Sequence, residues 1–324
     1  MDGSRPWTTT GIGNIGNIGN IGNIGNIGNI GASGLTLAPM AVPLSDPLEV
    51  PNAGGTAVFL ALLPPDGTPP TDDFFPDAWW DPSLRAQLVL AEFAIKKGAE
   101  CMPDLKSTPP GSPLLQPPNN SEANLRRQLE ILLTDRSLHR DARAPEIIAQ
   151  AANFMPYFDV LLCTGNGRRP FTTALLQVGA AIGQMVGIYY KNLYKRPRPA
   201  QIYPALMTVV PTPAHPSYPN NHAFQSMLAG LCVKAALPDP VNKALGPVLD
   251  AMAKRIGENR EIAGVHFHDD TCAGQKLAAS VFEKLTDLPT FTALCRSAKS
   301  EWPEWGATRS GIDVSAPAEV KVAS

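Results

Sequence analysis

The chain has 324 residues, 44% hydrophobic and 17% charged, which places it in the globular class with enough apolar surface for one large core or two modest ones. Its 27 Lys and Arg against 29 Asp and Glu give a formal net charge of -2. That balance excludes a global attraction to nucleic acid or anionic lipid, so any anion site must be local.

The start, Met1 to Trp7, has no basic stretch followed by an apolar core and cleavage site, so no signal peptide is expected. From Gly13 to Ile30 the triplet Gly-Asn-Ile repeats without interruption. It has collagen's glycine period but lacks the proline that stiffens a collagen chain, and a triple helix is excluded. The plain reading is a disordered low-complexity arm, because glycine costs much ordering entropy and isolated isoleucines bury little surface. The sharper alternative is an extended strip that binds further copies of the chain, which leaves a homo-oligomer open. Residues Ala32 to Asp77 are rich in Pro, Gly, Ala and Leu without a sustained period and read as linker and wrapping loops. The expected division is an arm over 1–76, a helical domain over 77–303 that carries the chemistry, and a flexible tail over 304–324.

Asp81 before Pro82 reads as an N-cap with a first-turn proline, and Leu84, Leu88, Leu90, Phe93 and Ile95 support a helix to about Lys97. A proline-rich loop, Pro103 to Pro118, follows. Ser121 caps a helix with Leu125, Leu129, Ile131 and Leu132, and Pro145 opens another with Ile147, Ile148, Ala151 and Phe154. Further helices are predicted over Pro170 to Tyr194, Asn221 to Ala236, Pro240 to Arg255, Asp269 to Leu285 and Thr290 to Trp302. The apolar stretch Phe171 to Tyr190 approaches the length of a bilayer span but contains Thr172, Thr173, Gln177 and Gln184. It reads as a buried central helix, and no membrane span is expected. Long periodic segments with few alternating patterns predict an all-α, single-domain helical bundle. The five cysteines, Cys101, Cys163, Cys232, Cys272 and Cys295, form no CxxC pair and read as buried thiols, with one disulfide left open for an exported protein.

Three short segments concentrate basic residues and histidine. They are Lys191-Asn-Leu-Tyr-Lys-Arg-Pro-Arg198-Pro199, then Pro216-Ser-Tyr-Pro219-Asn220-Asn221-His222, then Asn259-Arg260 followed by His266 and Asp270. A tetrahedral or trigonal-bipyramidal oxyanion needs fixed cationic donors around its equatorial oxygens, and Lys191, Arg198 and Arg260 are the candidates. Pro197 and Pro199 end the preceding helix, so Lys191 should project from its last turn and Arg198 from the loop beyond. His266 and Asp270 are four apart, so on a helix the carboxylate would meet the imidazole and fix its tautomer. The pair reads as a nucleophile and its orienter. His222, from a separate segment, is the candidate acid and base for the leaving alkoxide and the incoming water. His268 follows His266 by two, and on a helix the two would point about 200 degrees apart, so a metal site is not expected there. His139 looks like surface.

In order and internal spacing these segments resemble the motifs KxxxxxxRP, PSGH and SRxxxxxHxxxD of the superfamily uniting type 2 phosphatidic acid phosphatases, bacterial acid phosphatases and vanadium-dependent haloperoxidases. The resemblance covers roughly Thr173 to Trp302. Asn220 and Asn221 replace the serine and glycine of the second motif, and Asn259 the serine of the third. Asparagine can still donate to an anion and tolerates a positive backbone dihedral, so Asn220 and Asn221 join the expected phosphate-binding set; alternatively, Asn220 only caps the helix bearing His222. The resemblance implies a bundle of the acid phosphatase and haloperoxidase type. It implies a metal-independent phosphomonoesterase acting through a phosphohistidine on His266, with a small phosphorylated substrate and no cofactor. The first alternative is a haloperoxidase, with vanadate as cofactor and His266 as its axial ligand; the run from His215 to Pro219 looks like bacterial haloperoxidases. A second alternative is a weakened phosphate-binding or self-assembling protein. The superfamily's soluble phosphatases imply a periplasmic or secreted location.

Overall fold

The structure, a computed structural model, describes residues 77–103 and 113–302. The predicted arm over 1–76, the tail beyond 302 and most of the Pro103 to Pro118 loop therefore lie outside the described residues. Within them the fold is all-α, as the periodicity predicts. Nine helices carry the architecture: α1 (Pro82–Lys96), α2 (Glu122–Thr134), α3 (Arg140–Ala152), α4 (Met155–Leu162), α5 (Pro170–Tyr194), α6 (Asn221–Lys234), α7 (Asp239–Ile262), α8 (His268–Leu285) and α9 (Pro289–Ser300).

Helix α5 is the centre of the bundle. Its residues are buried on nearly every face from Thr172 to Lys191, under α1, α6 and α9. It is the one helix among the described residues long and apolar enough to cross a membrane, and 78% of the apolar window is buried by protein. That surrounding is compatible with a soluble protein.

Three glycines spaced four apart explain how α6 lies against α5. A Cβ on Gly179 would overlap the backbone of Ala229, one on Gly183 would come within 2.8 Å of Gln225 Cγ, and one on Gly187 would overlap the side chain of Asn221. Positions i, i+4 and i+8 share one helix face, so the glycines form a groove that admits α6 antiparallel at close range. The register brings the N-terminus of α6, Asn221 and His222, beside the C-terminal turns of α5. Two more glycines close the far side. Gly257 of α7 faces Ala223, and a Cβ on Gly274 of α8 would meet the Asn220 carbonyl at 2.5 Å. The start of α6 is thus enclosed by α5, α7 and α8.

Several local readings hold. Asp81 accepts a hydrogen bond from Ser83 N at 2.7 Å, Ser121 Oγ from Asn124 N at 3.4 Å, and Asn220 Oδ1 from Ala223 N at 3.3 Å, so all three cap helices. Others change. Helix α3 begins at Arg140, after a 3-10 turn over Arg136–His139, and Pro145 sits inside it; one turn in, the proline forfeits only a single i to i−4 bond. Phe154 falls in the break before α4. On α1 the inward residues are Ala86, Val89 and Phe93, while Leu84, Leu88 and Ile95 are exposed. Helix α7 runs to Ile262 rather than Arg255, which places Arg260 in its last turn, and Gly264 at φ 78 turns the chain toward α8.

Candidate active site

The three basic segments converge at the start of α6. Lys191 occupies the last turn of α5, where Lys195 closes the helix in the left-handed conformation, and Arg198 follows in the loop. The Lys191 ammonium donates to the carbonyls of Pro216 at 2.9 Å, Ser217 at 3.0 Å and Pro219 at 2.6 Å. An ammonium has three donors, and all three meet these carbonyls. Lys191 fixes the 216–219 loop; burial, then Arg198, push its pKa well below the ordinary lysine value, Asp270 acts the other way, and the three carbonyl acceptors favour the ammonium.

Arg198, 1% exposed, joins the first segment to the other two. Its Nε donates to the His215 carbonyl at 3.0 Å and Nη2 to His215 Nδ1 at 2.9 Å. Its Nη1 donates to the Val265 carbonyl at 2.7 Å and to His266 Nε2 at 2.9 Å. A guanidinium cannot accept, so His266 Nε2 must present its lone pair there, and the ring proton sits on Nδ1. On that side Asp270 Oδ2 lies 3.2 Å away and Ser217 Oγ 3.4 Å away. The neutral Nδ1–H tautomer follows from the two contacts together. Burial, with Arg198 and Lys191 nearby, pushes the His266 pKa well below its ordinary value.

The spacing of four between His266 and Asp270 works by a different route from the one expected. His266 lies before α8, not on it. Asp270 is the third residue of the helix, and its Oδ2 accepts from the Phe267 backbone N–H at 3.0 Å while also facing His266. The carboxylate that caps the helix therefore orients the imidazole. Two residues that carried no expected role complete its surroundings. Ser217 Oγ donates to Asp270 Oδ2, and Arg196 Nη1 donates to Asp270 Oδ1 at 2.7 Å. Arg196 is fully buried, with its guanidinium over the Phe267 ring at 4.5 Å. Both residues stand inside the quoted segments, but nothing in their type separates them from a surface arginine or a turn serine.

Helix α3 supplies the remaining wall. His222 Nε2 donates to the Gln150 carbonyl at 3.1 Å, and the ring lies against Phe154 with centroids 5.7 Å apart. Arg260 Nη2 donates to the Ile147 carbonyl at 2.7 Å. Its Nε is buried without a hydrogen-bond partner among the described residues. Burial lowers the Arg260 pKa to about 10, and the Arg198 pKa likewise to about 10. Burial first, then Arg260, pushes the His222 pKa well below its ordinary value, with Arg198 and His215 also contributing. His222 in turn contributes to the depression at His266, so both imidazoles share one electrostatic environment.

Both asparagines of the second segment are engaged within the protein. Asn220 spends its amide hydrogens on the Gly257 carbonyl at 3.2 Å and Thr271 Oγ1 at 3.1 Å, and its oxygen on the cap of α6. Asn221 is the first helical residue, without the positive dihedral that glycine would permit, and it donates to Gln184 Oε1 at 3.3 Å against α5. Asn259 ties the third segment to α3 through Glu146, at 2.9 Å, and Gln150, at 2.8 Å.

The arrangement holds more positive charge than it neutralises. Among the described residues the buried cations are Lys191, Arg196, Arg198 and Arg260, against the buried carboxylates Asp270 and Glu261. Glu261 is committed to Arg136, at 2.9 Å, and to His268. Excess buried charge is costly unless an opposite charge joins it, and a multivalent oxyanion would supply that charge.

No family model matches the chain. Over 103 residues it is 30% identical to the decaprenylphosphoryl-5-phosphoribose phosphatase of Mycobacterium tuberculosis strain CDC 1551 / Oshkosh, and likewise to that of strain ATCC 25618 / H37Rv. The match takes in 32% of this chain and 53% of each relative, so the chain spans about half the length of the curated relatives it matches. The chain is therefore similar, over about a third of its length, to a phosphatase.

Proposed function

We propose that the chain is a phosphoric monoester hydrolase of the acid phosphatase and haloperoxidase superfamily, working without a metal through a phosphohistidine on His266. The observation that carries this reading is the His266 tautomer: a neutral imidazole with Nδ1–H on Asp270 and the Nε2 lone pair turned toward buried cations. In the proposed reaction the Arg198 Nη1 contact passes from Nε2 to a phosphoryl oxygen, and Nε2 attacks phosphorus as the ester P–O bond breaks. Arg198 and Arg260 hold the equatorial oxygens, with Lys191 adding charge from behind the loop. His222 protonates the departing alkoxide, then takes a proton from the water that cleaves the N–P bond and releases phosphate. Its depressed pKa suits the acid role only once a phosphate dianion is bound, because that negative charge offsets Arg260 and favours the imidazolium. The named relative is a phosphatase of a decaprenyl-linked phosphoribose; by analogy the substrate here is a phosphate monoester.

The same cations and the His266 Nε2 also fit vanadate, which when bound would supply peroxide-activating chemistry. The observation favouring this second reading is a third imidazole, His215, held on Arg198 at 2.9 Å. Turnover of p-nitrophenyl phosphate decides between them. The phosphatase reading expects hydrolysis that survives a chelator, is blocked by vanadate, and loses covalent phosphate labelling in His266→Ala. Labelling that persists without His266 refutes the mechanism, peroxide-dependent bromination after vanadate loading selects the second reading, and phosphate binding without either activity indicates a weakened enzyme.

A further inference from the structure

A second cluster of reactive side chains lies where α7 meets α8. Glu261, in the last turn of α7 and 1% exposed, is held by Arg136 Nε at 2.9 Å. Its two oxygens face His268 Nδ1 at 3.2 and 3.1 Å. The other ring nitrogen, His268 Nε2, lies 3.4 Å from the Cys272 sulfur. His268 and Cys272 are four apart on α8 and share a face, so the helix itself sets the pair. Both line a cleft of about 590 Å³, with Arg136, Arg143, Lys254 and Arg255 around it. The His268 side chain is 43% exposed, and Cys272 is half-buried. A thiol, an imidazole in reach of it and a carboxylate on the far ring nitrogen form the arrangement in which an orienting acid, a base and a nucleophile act in series.

We propose that Cys272, His268 and Glu261 form a second reactive site, outside the phosphate pocket, that presents a nucleophilic thiol to small soft electrophiles entering the α7–α8 cleft. With a haloacetamide the sulfur attacks as a thiolate paired with the His268 imidazolium: it bonds to the methylene carbon, the carbon–halogen bond breaks with its electron pair leaving on halide, and the proton that came from the thiol stays on His268 Nε2. Glu261 is a positioning residue that keeps the other nitrogen protonated and the ring aimed at sulfur. The other thiols lack this setting among the described residues. Cys101 and Cys232 are buried, Cys295 is pushed up to about 12 by burial, and Cys163 is exposed with its sulfur near the Val160 carbonyl.

The test is iodoacetamide labelling of the native full-length chain, read peptide by peptide by mass spectrometry. Cys272 is expected to label ahead of Cys163 although Cys163 is more exposed, and this preference should vanish in guanidinium. In His268→Gln the Cys272 rate should fall roughly tenfold or more, the scale of a lost acid–base partner, while Cys163 is unchanged and reports an intact fold. A Cys272 rate no greater than that of Cys163, or an unchanged rate in His268→Gln, overturns the proposal. Should that variant fail to fold, the native against guanidinium comparison in the wild-type chain decides alone.

Discussion

Arg196 offers the sharpest test of how the site is held. It is fully buried, and its Nη1 is the cationic partner of Asp270 at 2.7 Å. Arg196→Met keeps an unbranched apolar stem but leaves the carboxylate in the interior without its cation. Breaking a buried pair from one side costs about 3–5 kcal/mol. Arg196 Nε has no hydrogen-bond partner among the described residues and Nη2 only a 3.9 Å ion pair with Asp269, so the variant also relieves two poorly satisfied donors, and the lower end, about 3 kcal/mol, is expected. For a domain of this size each kcal/mol moves Tm by about 2–4 °C, which gives a drop of roughly 6–12 °C by calorimetry. Without the Arg196 contact Asp270 Oδ1 loses its hydrogen bond, so the carboxylate holds His266 with its proton on Nδ1 less firmly. Phosphate labelling should therefore slow at neutral pH, and Arg196→Lys should restore part of both properties. A Tm within about 2 °C of the wild-type value, together with normal labelling, would refute the assignment of Arg196 as the counter-charge.

Three more outcomes are expected. His222→Asn should still form the phosphoenzyme from esters with good leaving groups and lose about a hundredfold or more on poor ones in single-turnover assays; equal losses on both would remove its role as acid. His222 and His266 are held neutral in the native protein while the unfolded chain protonates them near pH 6.5, so urea stability should fall as pH drops below about 6.5, by up to about 1.4 kcal/mol per pH unit for each. His268 has the opposite sign: hydrogen bonds to Cys272 and Glu261 push it up to about 10, so its stabilisation is full below about pH 6.5 and is lost as pH rises toward 10. A flat profile between pH 6.5 and 5 contradicts the burial of two neutral imidazoles. Gly179→Ala should cost about 1–3 kcal/mol, since its methyl meets the Ala229 backbone, whereas Gly230→Ala, with nothing within 4 Å, should gain up to about 1 kcal/mol from helix propensity. Equal effects at the two glycines would show that the α5–α6 groove is not what sets the close approach.

The sequence by itself determined the helical class, the order of every helix but α4, three of their caps and the three segments that meet at the site. Those features are local. A cap needs its side chain two or three residues away, a proline ends a helix where it stands, and periodicity is read within one segment. What only the tertiary structure decided is how each polar group spends its hydrogen bonds. Lys191 carries the right charge at the expected place, but the loop carbonyls across from it take all its donors. Asn220 is consumed by the cap and by Gly257 and Thr271, and Arg196 becomes the partner of Asp270 because α8 arrives beside it. The His266 and Asp270 pair was visible as a spacing, yet the contact depends on a carboxylate capping a helix that His266 never enters. A donor's partner lies on another element, up to 74 residues away for Arg196, and residue type within a segment does not specify which element will pack there.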